Sequence, residues 1–173
     1  FGHSPLQTAR KLHSRQYRGS VSRLAVHPRI HEKKIPQGCV PCDDWLRAFS
    51  EADYVCSNLP LNEKNRGIIG EKEFAAMKRD AVFINTGRGK VVDEGALEDA
   101  LVQGVIAGAG LDVFEDEPLD KNSRLISMDN LVCTPHYAAH TYQARFKTVM
   151  TAAQEAVRVL KGQEPLYALN QIK

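Results

Sequence analysis

The chain has 173 residues, of which 43% are hydrophobic and 25% are charged, and its formal net charge is only +2. This length provides one domain with a sizeable core, and the composition is that of an ordinary globular protein. Its apolar runs are shorter than the roughly 18 residues that a membrane span requires, so we expect no membrane partner.

The positive charge is concentrated at the start of the chain. Residues 1–34 contain eight Lys or Arg and the single acid Glu32, a net +7, whereas the remainder contains fifteen bases and twenty acids, a net −5. A basic segment of this kind either meets a phosphate or an acidic partner or is simply a solvated helix face. Because no nucleic-acid-binding motif accompanies it, we expect no nucleic-acid partner.

The first five residues, Phe1-Gly2-His3-Ser4-Pro5, have the pattern of the interior of a Gly-x-Gly-x-x-Gly loop. The first glycine of such a loop and the strand before it are not in the sequence. Residues 6–15 have helical spacing of apolar positions and are predicted to form the helix that follows. Pro5 stands where the third glycine is usual, and proline suits a first helical turn but donates no hydrogen bond to a phosphate.

The second strand is predicted at residues 21–26 and ends at His27-Pro28-Arg29. Dinucleotide-binding folds usually place an acid at this point to bind the adenosine ribose, whereas a nearby Arg accepts a 2′-phosphate. Here no acid is present, and His27 and Arg29 are either neighbours of such a phosphate or parts of a surface turn. The sequence therefore leaves NAD and NADP equally open.

The four cysteines do not indicate a disulfide scaffold, so we expect reduced thiols and a cytoplasmic protein. Cys39 and Cys42 have the Cys-x-x-Cys spacing, but no second close Cys or His pair follows, and we expect no metal site. Cys56 and Cys133 fall within predicted strands, where free cysteine commonly acts as a small hydrophobe.

From residue 43 onwards, predicted helices alternate with short apolar runs that are typical of the buried strands of a parallel sheet. Strands are predicted at 52–57, 81–84, 106–111 and 131–133, and helices from 43, at 71–78, after the capping residue Asp93, and at 140–160. This alternation predicts an α/β protein in which helices flank a parallel sheet.

Polar residues follow three of these strands. Arg88 comes shortly after the run 81–84, Asp112 and Glu117 come after the run 106–111, and His136 comes after 131–133. In open parallel sheets, ligands bind beyond the carboxyl ends of the strands. We therefore expect these side chains to converge on one crevice.

Three motifs resemble those of the D-isomer-specific 2-hydroxyacid dehydrogenases. They are Asn85-Thr86-Gly87-Arg88-Gly89 followed by Val91-Val92-Asp93, then Leu111-Asp112-Val113-Phe114 with Glu117-Pro118, then Thr134-Pro135-His136. The resemblance extends from Trp45 to about Asn170. It implies a Rossmann-like, doubly wound parallel sheet, with residues 1–173 forming a partial NAD(P)-binding domain. The first strand, the start of the glycine-rich loop and the separate substrate domain of the family are expected to be missing.

The chemistry of a 2-hydroxy acid dehydrogenase requires a proton carrier, a cation for the substrate carboxylate, and a hydride carrier. His136 is the candidate acid/base because imidazole titrates near neutral pH. Glu117 is the candidate that orients the imidazole, and Arg88 offers a planar fork of donors to the carboxylate. The resemblance implies the same three roles. It also implies that NAD or NADP contacts Gly2, His3, Ser4, His27, Arg29, Leu59, Pro60, Asn65, Thr86, Gly87, Arg88, Asp112, His136 and Ala138.

Two functions agree with these residues. The first is hydride transfer between NAD(P) and a small D-2-hydroxy acid or 2-oxo acid, with this chain alone inactive because the substrate domain is absent. The second is a non-catalytic dinucleotide-sensing module, such as a dehydrogenase-like transcriptional corepressor. Family members commonly pair through this domain, so the resemblance also implies a homodimer of the intact protein.

Overall fold

A computed structural model describes residues 24–26, 39–42 and 44–168. The predicted glycine-rich loop, the helix 6–15 and the turn at His27 and Arg29 lie outside these residues. Two units are distinguished, one that ends at Pro135 and one that begins at His136.

The described residues of the first unit contain six strands, β1 Leu24–Val26, β2 Cys39–Pro41, β3 Tyr54–Ser57, β4 Val82–Asn85, β5 Gly108–Leu111 and β6 Leu131–Cys133. Strands β3, β4, β5 and β6 form one sheet in chain order, and all three pairings are parallel. Strands β1 and β2 pair in parallel in a second sheet. The predicted parallel sheet is thus confirmed, and the Cys39–Pro41 strand is an addition to the sequence prediction.

From residue 44 to Pro135, where the structure describes every residue, three helices connect the strands, α1 Trp45–Glu51, α2 Glu71–Ala76 and α3 Glu94–Val102. Helix α2 begins at Gly70, whose amide donates to Glu73 Oε2 at 3.0 Å. Helices α1 and α3 each begin at a side chain that satisfies backbone N–H groups which have no partner within the helix. Asp44 accepts hydrogen bonds from the amides of residues 46 and 47, and Asp93 accepts one from Ala96. Helix α3 is followed by Gly104 at φ 64°, a left-handed position that glycine occupies without strain.

The core lies where α2 and α3 cover the central strands. Phe74 of α2 meets Phe83 of β4 edge to face, with ring centroids 5.2 Å apart, and both rings are fully buried. Helix α3 contributes Leu97, Ala100 and Leu101, the three- and four-residue spacing that places side chains on one helix face. Burial of each large apolar side chain contributes about 1.5–3 kcal/mol.

Burial of the outer strands differs from the sequence prediction. Strand β4 alternates between half-buried and buried residues, and three of the four residues of β5 are buried, but Val132 and Cys133 of β6 are exposed. Cys56 of β3 is exposed as well, so neither Cys56 nor Cys133 is the buried hydrophobe that was expected. The physical reason is position, because β3 and β6 lie at the two edges of the four-stranded sheet.

The second unit contains α4 Tyr142–Leu160, which begins at the capping residue Thr141. Its predicted apolar face is present, and Phe146, Val149 and Val157 are exposed. The carboxylate of Glu155 accepts hydrogen bonds from the amides of Leu166 and Tyr167, which folds the following segment back onto the helix. Among the residues that the structure describes, none of the helices is both long and apolar enough to span a bilayer.

Candidate active site

The candidate site of the first unit is built on the carboxyl ends of β4, β5 and β6. The amide of Asp112 donates to the carbonyl of Asn85 at 3.0 Å, and the amide of Thr134 donates to the carbonyl of Leu111 at 2.8 Å. These bonds continue the parallel ladder one residue past the strands. They bring the motifs that begin at Asn85, at Leu111 and at Thr134 together at the carboxyl ends of the strands.

Asn85 shapes the turn that carries Arg88. Its side chain is 1% exposed; Nδ2 donates to the carbonyl of Arg88 at 3.1 Å and Oδ1 accepts from the amide of Gly87 at 3.0 Å. A buried amide that makes both bonds fixes the backbone on either side of Arg88. The Arg88 side chain itself is exposed, and its Nη1 donates to the carbonyl of Gly87 at 2.7 Å.

The turn at Gly87 is close to the loop that follows β3. A Cβ atom at Gly87 would lie 3.1 Å from the Cα of Asn58 and 3.1 Å from the carbonyl oxygen of Leu59. Thr86 Oγ1 donates to Asn58 Oδ1 at 3.0 Å and joins the two loops. The structure therefore brings together four of the predicted cofactor contacts, which are Leu59, Thr86, Gly87 and Arg88.

Pro60 and Asn65 are joined within the same loop. The Asn65 side chain donates from Nδ2 to the carbonyl of Pro60 and accepts from the amide of Asn62 at 2.7 Å. The sequence-predicted residues of this loop thus form one hydrogen-bonded group that follows β3.

Asp112 is a buried carboxylate at the end of β5, only 3% exposed. The hydroxyl of Thr134 donates to its Oδ1 at 2.6 Å, a length typical of a hydrogen bond to an ionised oxygen. Because burial of an unpaired charge is costly, this bond and the chain end of β6 hold the carboxylate at a defined position.

Glu117 is exposed and lies in the segment that we call the Glu117 loop, residues 112–118, which is buried up to Phe114 and exposed from Glu115 onwards. Its Oε1 accepts from the amide of Phe114 at 3.1 Å, which turns the carboxylate back over the loop. The loop is anchored in the core by Val113 and Phe114, which are 1% and 7% exposed.

His136 is the first residue of the second unit and has a positive φ of 57°. Histidine is among the residues that adopt this left-handed conformation more often than most. The imidazole is exposed, and the next residues form a turn in which His140 donates its amide to the carbonyl of Tyr137 at 2.8 Å. The predicted convergence of His136 on Arg88 and Glu117 stays a prediction.

Sequence reasoning missed two residues of the first unit that bear on the site. Ser57 ends β3, is 5% exposed, and its hydroxyl makes no hydrogen bond within the described residues. Glu94, the first residue of α3, is half-buried and accepts a hydrogen bond from the amide of Glu115 in the Glu117 loop. A polar residue that ends an apolar run was the available signal for Ser57, whereas Glu94 had none.

Comparison with known proteins identifies the family. The model of the D-isomer specific 2-hydroxyacid dehydrogenase NAD-binding domain matches residues 7–138. The chain belongs to this family. Glyoxylate/hydroxypyruvate reductase B of Klebsiella pneumoniae is 43% identical over 136 residues, which are 79% of this chain and 41% of that protein.

Solved structures of the family share the fold. The D-isomer specific 2-hydroxyacid dehydrogenase of Lactobacillus delbrueckii ssp. bulgaricus, in an NAD complex, superposes with a TM-score of 0.79 and 28% identity over 91% of this chain and 51% of that one. A probable 2-hydroxyacid dehydrogenase of Rhizobium etli, in complex with NADP, superposes with a TM-score of 0.73 and 26% identity over 93% of this chain and 51% of that one. The chain spans about half the length of the proteins it matches, and its Rossmann-like fold is confirmed.

The residues present fit a dinucleotide cofactor. The site offers a close approach of two loops at Gly87, a buried carboxylate at Asp112 and, at Ser57, a buried hydroxyl that has no hydrogen-bond partner among the described residues. All three lie at or just after the carboxyl ends of parallel strands. Dinucleotides bind to open α/β sheets in the crevice beyond the carboxyl ends of the strands, which is where these groups lie.

Proposed function

We propose that this chain is the cofactor-binding domain of an oxidoreductase that interconverts small 2-oxo acids and D-2-hydroxy acids with NAD or NADP. The observation that carries the proposal is that the carboxyl ends of three adjacent strands lie together. There the Asn85 side chain fixes the Arg88 turn and the Thr134 hydroxyl holds the Asp112 carboxylate. Membership of the D-isomer specific 2-hydroxyacid dehydrogenase family supports the proposed reaction. The relative named as a glyoxylate/hydroxypyruvate reductase indicates a substrate with a short side chain.

Arg88 is proposed to bind the substrate carboxylate. Its guanidinium is exposed on a turn whose backbone is fixed on both sides, and Nη1 would have to give up its hydrogen bond to the Gly87 carbonyl for the full fork of donors to bind a carboxylate. A bidentate hydrogen-bonded pair would orient the 2-oxo group, and orientation of reactants contributes several kcal/mol to catalysis, on the order of 7 or more in the best intramolecular cases.

His136 is proposed to supply the proton. Reduction adds a hydride to C2 of the substrate and a proton to its carbonyl oxygen, and the imidazolium Nε2–H or Nδ1–H is the donor. In the reverse direction the neutral imidazole removes the hydroxyl proton. Glu117 would hold the imidazole in one tautomer and stabilise its cationic form, and bound NAD(P)H would supply the hydride.

Asp112, together with the loop residues Leu59, Pro60 and Asn65 and the turn residues Thr86 and Gly87, is proposed to hold the nicotinamide end of the cofactor. The remaining proposed contacts, Gly2, His3, Ser4, His27 and Arg29, lie outside the described residues, and Ala138 lies in the second unit. His27 and Arg29 are either neighbours of a 2′-phosphate or incidental surface residues, so the choice between NAD and NADP stays open. Both cofactors are therefore part of the test.

The test is turnover by the protein at its full natural length. Loss of reduced-nicotinamide absorbance would be followed with glyoxylate, hydroxypyruvate, pyruvate and bulkier 2-oxo acids, each with NADH and with NADPH. We expect turnover of the smaller acids, with a loss of at least about a thousandfold in kcat for His136→Asn and little change for the matched control His140→Asn. Cofactor binding without turnover of any acid would favour the dinucleotide-sensing module instead.

The full-length protein is further proposed to be a cytoplasmic homodimer that pairs through the segment after Asp93, without a nucleic-acid or membrane partner. Val102, at the end of α3, is 58% exposed and would be part of that surface. Sedimentation at micromolar concentration is expected to show a dimer, and a monomer at all concentrations would contradict this assembly.

A further inference from the structure

The Glu117 loop is held by three contacts against residues 89–94, the segment that leads into α3 and ends at its first residue. The loop backbone touches Gly89, the ammonium of Lys90 pairs with the carboxylate of Asp116 at 3.2 Å, and the amide of Glu115 donates to Glu94 Oε1. The first contact is very close, because a Cβ atom at Gly89 would lie 1.7 Å from the carbonyl oxygen of Phe114. The loop therefore has little room to move towards Gly89.

The side chains of Lys90 and Asp116 are both solvent-exposed. An ion pair of this kind contributes little to the free energy of unfolding, typically about 0–1 kcal/mol. The Glu94 contact differs because the acceptor is a half-buried carboxylate, and hydrogen bonds to ionised oxygens are the stronger class. It joins residues 21 apart in sequence, and its donor is two residues from Glu117.

Glu94 is not required to start the helix. The capping position is occupied by Asp93, whose Oδ1 accepts from Ala96 at 3.0 Å, and the helix is fixed to the core by Leu97 and Leu101. The Glu94 side chain is thus available for the loop, and it accepts the hydrogen bond from the Glu115 amide.

The location is unfavourable for a carboxylate. Burial raises the pKa of Glu94, the negative charges of Glu115, Asp116 and Glu117 raise the pKa further, and the hydrogen bond from the Glu115 amide opposes them. An acid held at a cost to stability, beside a proposed active-site loop, is the pattern expected of a functional position.

We propose that Glu94 is a positioning residue that fixes the Glu117 loop through the backbone amide of Glu115. The catalytic consequence of this inference rests on the proposed function. The hydrogen bond between the Glu115 amide and Glu94, which we call the Glu94 tie, can be tested without any activity. Glu94 touches neither substrate nor cofactor in this assignment. It sets where the Glu117 carboxylate lies within the first unit.

The test compares Glu94→Ala, Glu94→Gln and Glu98→Ala in the full-length protein. Alanine removes the acceptor, whereas the glutamine side-chain oxygen still accepts from the Glu115 amide. Glu98 is one turn further along α3, and its carboxylate pairs at 2.5 Å with Arg124, outside the Glu117 loop. It is the matched control for loss of an acid from this helix.

Hydrogen exchange of the Glu115 amide is the first readout. We expect exchange at least about tenfold faster in Glu94→Ala, and within about threefold of wild type in Glu94→Gln and Glu98→Ala. Unchanged exchange in Glu94→Ala would overturn the tie, whether or not the protein turns over any 2-oxo acid. If Glu94→Ala does not fold, slowed or unchanged exchange in Glu94→Gln upholds the tie, and exchange at the rate of a free amide overturns it.

Steady-state kinetics is the second readout. Misplacement of the loop is expected to lower kcat of Glu94→Ala by about tenfold to a hundredfold with KM for the 2-oxo acid nearly unchanged, and Glu94→Gln is expected to restore kcat to within about threefold. A normal kcat in Glu94→Ala, or an equal loss in Glu98→Ala, would overturn the positioning role. Absence of turnover in the wild type would instead refute the proposed function, and the exchange measurement would still decide the tie.

Discussion

The side-chain amide of Asn85 donates to the carbonyl of Arg88 at 3.1 Å, and its oxygen accepts from the amide of Gly87 at 3.0 Å. One buried side chain therefore holds both ends of the peptide segment that presents the guanidinium. The shape of the turn is set from within the core, not by contacts of the exposed arginine.

Asn85→Asp tests this relationship. The aspartate can still accept from Gly87, but it replaces the donor to Arg88 with an oxygen that faces another oxygen in a buried site. We expect a loss of about 1–3 kcal/mol in the free energy of unfolding and a rise of at least about tenfold in KM for the 2-oxo acid.

The matched control is Asn130→Asp. Asn130 Nδ2 donates to the carbonyl of Leu101 at 3.1 Å, a bond of the same kind that lies away from the Arg88 turn. Denaturant unfolding of both variants should show losses of similar size, and only Asn85→Asp should change KM. If the two variants changed KM alike, the effect would be general destabilisation.

Gly89→Ala is expected to displace the Glu117 loop. The added Cβ would lie 1.7 Å from the carbonyl oxygen and 1.9 Å from the carbonyl carbon of Phe114, so the backbone must move. We expect a loss of about 3 kcal/mol or more in unfolding free energy, with faster exchange of the Glu115 amide.

Gly110→Ala is the control for a methyl group added near the same edge of the sheet. Its Cβ would meet only the Ile84 side chain, at 4.0 Å, which is ordinary contact. Thermal unfolding should show a change within about 1 kcal/mol for this variant. Equal destabilisation by the two substitutions would argue against the close approach at Gly89.

Arg88→Lys keeps the positive charge and removes the planar fork. If Arg88 binds the carboxylate in the proposed bidentate way, kcat/KM for the 2-oxo acid should fall by about a hundredfold, because one fixed pair of hydrogen bonds is lost. Arg124→Lys, at an arginine paired with Glu98, should leave kcat/KM unchanged. A fall of less than about threefold in Arg88→Lys would show that the fork is not used.

The strands and the main motifs were predictable because they depend on local patterns. The apolar runs before Asn85 and Asp112 became β4 and β5 within one or two residues, and Asp93 caps α3 as its position indicates. The motif at Arg88 likewise identified the turn that follows β4.

The loop contacts were not predictable, because they depend on which distant segments come together. The Glu94–Glu115 bond and the close approach of Gly89 to Phe114 join residues more than twenty positions apart in sequence. The exposure of β6 depends on its edge position in the sheet, which an apolar run does not encode. Nothing in the sequence assigns Glu94 a role that differs from those of the other acidic residues of α3.

The raised pKa of Glu94 predicts a pH-dependent difference between wild type and Glu94→Gln. Burial is the largest cause and the charges of Glu115, Asp116 and Glu117 add to it, while Lys90 is paired with Asp116. The folded protein then retains the Glu94 proton to a higher pH than the unfolded chain does. In that interval the folded state binds more protons, so wild-type stability falls as pH rises.

Glutamine removes this dependence. The stability of Glu94→Gln relative to wild type should therefore increase from mildly acidic pH, as the unfolded glutamate ionises, and level off above the raised pKa of the folded state. Chemical unfolding over a pH series measures the difference, and the same subtraction for Glu98→Gln corrects for loss of a carboxylate from α3. A difference that stays constant with pH would show that the Glu94 carboxylate is not held at a cost, and a difference that decreases with rising pH would reverse the sign of the argument. The expected result, a more stable protein at neutral pH with an intact Glu94 tie, would separate the hydrogen bond of Glu94 from the cost of its charge.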